Sequence, residues 1–478
     1  MRLSFKYFKW EDAMNNTEIK LDRKLSVINV WALAFGSIIG WSAFALPGTS
    51  FLKNAGTLGT LIGMSLAVVV MIIISFNYNY MVNKYPVSGG EFTYAQAAFG
   101  NNHAFICSWF LGLSYIAIVP LNATGLPFIA RGILGDVFQF GFSYQIAGYD
   151  VYLGEIILAA SALIIFSFLG IRGVRFTGVF QSILTFMLVG GVAVVGIAAL
   201  CSSKTSIDNL MPLFSPDKTP LAGILAVLAV APYAFVGFDT IPQSAEEFKF
   251  SVRKTIAIMI IAIIFGGLCY VGINTIAASV VPNGYSGWYE YVSDIDNLTG
   301  VKAVPALNAA QELLGIPGLV IICMAVLGAL LSGVVGFYMA SSRLLYSVSK
   351  ENMLPKWFGY VHPKYKTPVN AIIFVMSISL IAPFFGRNTL VWIVDMSSVG
   401  AAIGYGYTSA AAFKLALKEK NKGIMFTGIT GMIFAVICAV ILLVPIEGLG
   451  CSLSKESYIC LVVWTVLGIV FKIIGNSR

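Results

Sequence analysis

The sequence predicts an all-α polytopic membrane protein of about twelve transmembrane helices. Three observations predict it. Of the 478 residues 58% are hydrophobic and only 11% charged, apolar runs recur along the whole chain, and the basic residues fall on alternate joints between those runs. So few charges cannot cover so much apolar surface in water, which excludes an ordinary soluble domain. A soluble fold of this length would split into roughly two or three domains, whereas short polar joints throughout argue for one membrane domain.

Apolar stretches of roughly 20 residues or more mark the spans. They lie at 27–52, 57–82, 102–128, 152–171, 176–201, 220–246, 255–281, 316–348, 367–385, 389–414, 423–445 and 457–474. Segment 1–26 precedes the first and 475–478 follows the last; no small-residue cleavage site separates 1–26 from the first run, so no removable signal peptide is expected. With the N-terminus placed in the cytoplasm, 23 of the 30 Lys and Arg lie inside, and Lys53, Arg131, Lys204, Lys218, Lys302, Arg387 and Lys455 lie outside. That asymmetry is the positive-inside pattern, and it puts both termini in the cytoplasm, with the plasma membrane as the expected location. It also accounts for the net charge of +8 without nucleic acid, for which no motif is present.

The seven cysteines are scattered without a CxxC pair, and the only histidines are His103 and His362, which argues against metal, redox or nucleophile–base chemistry. No cofactor and no enzyme activity are expected. Cys451 and Cys460, near the last external loop, are the one candidate disulfide. The Asn297-Leu298-Thr299 sequon lies in the long external segment 282–315.

Two spans carry their own breakers. GSIIGWSAFALPG at 36–48 sets three glycines and a proline inside the first span. Small residues there either let a neighbouring helix approach closely or unwind the helix. The sixth span favours unwinding, because APYAFVGFDTIPQSAEE gathers Pro232, Gly237, Asp239 and Pro242 within eleven residues. A carboxylate at that depth is expensive without a function. The first and sixth spans are five apart, so repeats of five helices (27–201 and 220–414, followed by two added helices over 423–474) would face opposite ways around a central site. Unwound backbone offers N–H groups to an anion and C=O groups to a cation, and half-helix dipoles reinforce both. The pattern predicts a carrier of small molecules.

Four landmarks occur in order between residues 36 and 369: the GSIIG break with Phe44 and Pro47-Gly48, then YPVSGGEFTYAQAAFG, GFDTIPQSAEE and SSRLLYSVSKENMLPKWFGYVHPKYKTPV. Together they resemble the amino acid-polyamine-organocation permeases. The resemblance implies the inverted five-plus-five (LeuT-like) helix repeat with helices 1 and 6 interrupted and two C-terminal helices added. It also implies a secondary active transporter working by alternating access, as an ion-coupled symporter or by exchange. Such a protein moves an amino acid or amine through the bilayer.

By that resemblance the first break, Ser37, Ile38, Ile39, Gly40, Trp41 and Ser42, holds a substrate carboxylate through backbone N–H groups. Trp41 and Ser42 stand where the family has a small residue and a glycine. Ser42 keeps its N–H and adds a hydroxyl; the Trp41 indole either narrows the pocket or packs outward against a neighbouring helix. In the sixth helix the carbonyls of Ala234, Phe235 and Val236 would face the amino group, Tyr233 would close the pocket from outside, and Asp239 would be charge partner or proton carrier. Asp239 could instead cap the following half-helix, accepting N–H bonds up to Ser244. Phe337 in the eighth helix would meet the substrate or simply pack, and Gly112 and Ile116, on one face of the third, would add an apolar wall. Glu246 and Glu247 are expected to pair with Arg253, Lys254 or Arg343 at an inner gate.

Apart from Asp239 the mid-span positions read as apolar or hydroxylic, so neither a dication nor an acidic substrate finds a matching second charge. A neutral amino acid fits, with a small monoamine or polyamine lacking a carboxylate as the alternative; a non-transporting amino acid sensor would carry the same binding residues. For coupling, Asp239 is the candidate proton site. Ser332 with first-helix carbonyls near Ala34 and Ser37 is the candidate sodium site, and residues 176–201 hold no lysine of the kind some relatives place there. Heteromeric relatives join a partner subunit through a cysteine after the third helix; residues 129–151 have none, implying no disulfide-linked partner.

Overall fold

The computed structural model describes residues 21–146, 149–386, 389–446 and 452–476. Cys451 of the candidate disulfide, Arg387 and segment 1–20 lie outside the described residues. The architecture is mostly helical. Ser26 opens α1 (Val27–Ile38) with a capping box, its hydroxyl accepting the Asn29 N–H while the Asn29 side chain accepts the Ser26 N–H. The Asn29 amide also donates to Gly178 O at 3.0 Å, tying this end of α1 to the helix over Val174–Cys201.

After the break, α2 (Ser42–Leu46) and a π-turn over Pro47–Phe51 run directly into α3 (Leu52–Lys84). The predicted spans 27–52 and 57–82 therefore share one helical run, turned at Gly56. Its φ is +72°, and a Cβ there would lie 2.8 Å from Leu213 O, so only glycine fits. The joint after it contains a helix, α4 (Glu91–Phe99), which buries Glu91, Phe92, Tyr94 and Ala95, before α5 (Asn101–Leu134).

One departure from the all-α expectation follows: β1 (Ser143–Ile146) and β2 (Tyr149–Tyr152) form an antiparallel hairpin. Arg131 anchors it, pairing with Glu155 and donating to Asp150 O at 2.6 Å. Next come α6 (Leu153–Ile171), α7 (Val174–Cys201), α8 (Pro220–Ala234), α9 (Thr240–Gln243), α10 (Thr255–Ser279), α11 (Trp288–Ser293), α12 (Pro305–Lys350), α13 (Val369–Ser379), α14 (Thr389–Glu419), α15 (Lys422–Leu443) and α16 (Lys455–Asn476).

Among the described residues eight helical runs are long and apolar enough to cross a bilayer. Two predicted spans hold shorter helices: α8 has 15 residues because it stops at the second break, and α13 has 11, followed by a 3-10 turn that begins at Ala382-Pro383. The 46-residue α12 bends at Gly315 (φ +66°), next to the predicted span start at 316. The protein is an integral membrane protein, and its helices expose large apolar side chains such as Phe168, Ile197, Leu268 and Val436.

Helix α12 packs between α5 and α7. Lipid gives no hydrophobic drive for such packing, so close backbone approach must supply it. Small residues permit that approach: a Cβ on Gly191 would come 2.6 Å from Ala325 Cβ, and one on Gly328 would come 2.6 Å from Leu184 O.

Candidate functional site

Helix α1 leaves helical geometry at Ile39 (ψ 81°) and resumes at Ser42. The interruption is filled by Asn122 of α5. Its Oδ1 accepts the Trp41 N–H at 3.2 Å while its Nδ2 donates to Ile118 O at 3.0 Å. Two glycines make the notch: a Cβ on Gly40 would lie 2.8 Å from Asn122 Oδ1, and one on Gly333 of α12 would lie 2.5 Å from Asn122 Nδ2. Sequence reasoning missed Asn122, although an amide between Pro120 and Pro127 in an apolar span was a readable signal. Asn122→Leu leaves the buried Trp41 N–H unpaired, at a cost of about 1–3 kcal/mol. The expected outcome is a lowered unfolding midpoint in detergent; an unchanged midpoint would show that the notch does not hold the break.

The donors expected over Ser37–Ser42 narrow to two. Ser37 and Ile38 belong to the last turn of α1, Ile39 N–H bonds to Phe35 O at 3.0 Å, and Trp41 N–H goes to Asn122. The N–H groups of Gly40 and Ser42 make no hydrogen bond among the described residues. The Ser37 hydroxyl is also buried without a partner. The Trp41 indole lies against Gly125 and meets the Phe128 ring at 5.2 Å, both on α5. A residue not foreseen, Tyr270 of α10, puts its hydroxyl 3.2 Å from both Ile38 O and the Ser42 hydroxyl.

At the second break, α8 ends with Phe235 N–H on Ala231 O and Val236 N–H on Tyr233 O, both at 3.1 Å. The carbonyls of Ala234, Phe235 and Val236 receive no hydrogen bond among the described residues, and all three residues are buried. Buried carbonyls rarely stay unpaired, which marks them as a place for an outside donor. Tyr233 is buried at the end of α8, one residue after Pro232, whose carbonyl accepts the Tyr405 hydroxyl at 3.3 Å. Gly237 follows with φ +144°, and a Cβ on it would lie 2.6 Å from Ile38 N and 2.8 Å from Ala34 O. The two breaks therefore touch.

Asp239 is fully buried. Its Oδ1 accepts the Gly237 N–H at 2.7 Å and its Oδ2 the Tyr115 hydroxyl at 2.9 Å. It caps nothing in α9, so the capping alternative does not apply. The expectation that no second buried charge stands near it is overturned by Glu91, at the start of α4 and likewise fully buried. Glu91 Oε1 accepts from Tyr78 at 2.8 Å, Oε2 accepts from Gln243 at 2.6 Å, and Tyr115 Oη lies 3.4 Å from Oε1. One tyrosine hydroxyl thus stands between two carboxylates. Its single hydrogen can be donated to only one of them at a time; the other contact becomes a hydrogen bond only when a proton sits on that carboxyl group. Glu91 escaped sequence reasoning because SGGEF falls outside the apolar runs, where a carboxylate reads as solvated.

A family model described as amino acid permease matches residues 25–470. The chain belongs to this family, within the amino acid-polyamine-organocation superfamily. It is 24% identical to a methylthioribose transporter of Bacillus subtilis (94% of this chain, 92% of the relative). It is 23% identical to the branched-chain amino acid permease BcaP of the same organism (82% and 81%). Identity to the low-affinity putrescine importer PlaP of Escherichia coli is 19% (96% and 94%).

The remaining expected site residues of the permease divide. Phe337 packs 5.9 Å from the Tyr115 ring, so it backs the tyrosine that bonds Asp239. Gly112 and Ile116 line a separate apolar cavity of about 250 Å³ with Trp109, Leu344, Phe358 and Trp464. Tyr115 takes the carboxylate side of α5, and one residue of helix turns Ile116 about 100° away. At the candidate sodium site each of the named residues already has neighbours. Ser332 donates to Gly36 O at 2.9 Å, Ser37 Oγ lies against Gly336, and Ala34 O lies against Gly237. Gln181 and Thr185 of α7 both donate to Ala32 O, at 3.3 and 3.0 Å. At the end of the second break Arg343 donates to Glu247 at 2.9 Å, both buried, while Glu246 accepts the Ser88 N–H at 3.0 Å.

Proposed function

We propose that this permease carries a neutral amino acid across the cell membrane by alternating access, coupled to protons through Asp239. The chain would cross twelve times, as two inverted repeats of five helices plus two, with both termini in the cytoplasm and Arg343–Glu247 in the inner gate. One observation carries the substrate reading: the unpaired N–H groups of Gly40 and Ser42 belong to a break that touches the one holding the unpaired carbonyls of Ala234–Val236. A zwitterion needs that pair of surfaces, donors for its carboxylate and acceptors for its ammonium. All four oxygens of Asp239 and Glu91 already accept internal hydrogen bonds, so they do not call for a second ammonium. Proton coupling is preferred to sodium because Ser332 already donates its hydroxyl hydrogen to Gly36 O and Ala34 O lies against Gly237.

A diamine is the second reading, favoured by the two buried acids, which have no cationic partner among the described residues. Stabilisation by ligands separates them, because a binder raises the unfolding midpoint by mass action, by about 2.7 kcal/mol at one hundred times its Kd. Neutral amino acids such as leucine or methionine are expected to stabilise the purified protein, and putrescine is not; the reverse result replaces this reading with the second. In sodium-free proteoliposomes the stabilising compound should accumulate when the outside is made acidic. Accumulation that requires sodium and ignores the pH gradient would refute proton coupling, and binding without any uptake would point to a sensor.

A further inference from the structure

The ends of α6 and α7 form a second site, remote in chemistry from the breaks. A cavity of about 340 Å³ lies between the α6–α7 turn, residues 22–24 and the loop at 364–365. Lys24, Arg172, Arg175 and Lys364 line it, and the acidic lining residue, Asp22, pairs with Lys24. Among the described residues Arg172, Arg175 and Lys364 have no carboxylate partner.

The walls are held in place. Leu25 N–H bonds to Glu247 O and Lys249 N–H to Leu25 O, both at 2.9 Å, which fixes the chain beside residues 22–24. His362 N–H bonds to Thr367 O at 2.9 Å, and Thr367 Oγ1 donates to Ile171 O at 2.9 Å, which docks the 364–365 loop on the end of α6. Four cations clustered on a held backbone attract an anion.

The cavity also has an apolar side. Phe176 and Val179 line it and are 53% and 51% exposed, and Ile183 and Phe186 continue the same exposed stripe down α7 at helical spacing. We propose that this cavity binds the phosphate headgroup of an anionic phospholipid whose acyl chain lies along the Phe176–Phe186 stripe. Basic cavities between membrane helices suit acidic headgroups. A soluble phosphate would satisfy the cations but not the stripe.

The protein in nanodiscs of phosphatidylcholine containing a minor fraction of phosphatidylglycerol tests this, with bound lipid counted by native mass spectrometry after extraction. Phosphatidylglycerol should be enriched roughly tenfold over its bulk fraction, a difference readily resolved as a ratio of affinities. The enrichment should fall to the bulk ratio in Arg172→Gln/Arg175→Gln and persist in Lys418→Gln/Lys420→Gln, which removes the same charge from the end of α14 and beyond it. Lys364→Gln, a single loop change, gives the same reading should the double variant fail to fold. Equal retention of both lipids, equal losses in the Lys418/Lys420 control, or displacement by millimolar inorganic phosphate would each overturn the proposal.

Discussion

Asp239→Asn is expected to abolish proton-driven uptake while substrate binding survives. Asparagine keeps an oxygen for the Gly237 N–H, now 2.7 Å from Asp239 Oδ1, so the second break retains its shape. It loses the charge, and its amide nitrogen would confront the Tyr115 hydroxyl that now donates to Oδ2 at 2.9 Å. The tyrosine must then turn toward Glu91 Oε1, 3.4 Å away, and no proton can be carried at position 239. Uptake under a pH gradient should therefore fall to the level of protein-free liposomes. Counterflow exchange and ligand-induced stabilisation should remain. Asp239→Ala differs, because it strands the buried Gly237 N–H at about 1–3 kcal/mol and should lower the unfolding midpoint too. Full proton-driven uptake by Asp239→Asn would remove the carboxylate from the mechanism.

Gly237→Ala is expected to disable the permease through the backbone. At φ +144° a side chain is strained, and the new methyl would lie 2.6 Å from Ile38 N, inside any real contact distance. Overpacking costs about 1–3 kcal/mol and a disallowed backbone about as much again. The clash falls on the seam between the breaks, so uptake should be lost together with several degrees of thermal stability. Gly190→Ala in α7 is the matched control, since a Cβ there meets nothing within 4 Å. If both variants transport alike, contact between the breaks is not needed for function.

Glycine's lack of a Cβ explains why parts of the site were legible and parts were not. Gly40 and Gly237 stood out inside apolar runs, and both are at the interruptions. Gly333 looked ordinary, yet it forms half of the notch for Asn122. Trp41 could be read as departing from the family pattern, but its direction depended on Gly125 and Phe128 from a distant span. Gly112 and Ile116 share a face as expected, and that face lines another cavity.

Membrane class, the position of most apolar helices, the two interruptions and the buried acid at Asp239 were determined by the sequence alone. Hydropathy, helix breaking and the cost of a charge in lipid are properties of a residue and its near neighbours along the chain. Only the tertiary structure decided that Glu91 shares Tyr115 with Asp239, that Asn122 fills the first break, and that Tyr270 reaches Ile38. Each joins helices far apart in sequence, and which faces meet is settled by packing among all of them at once, where a missing methyl or a one-residue turn of a helix redirects the contact.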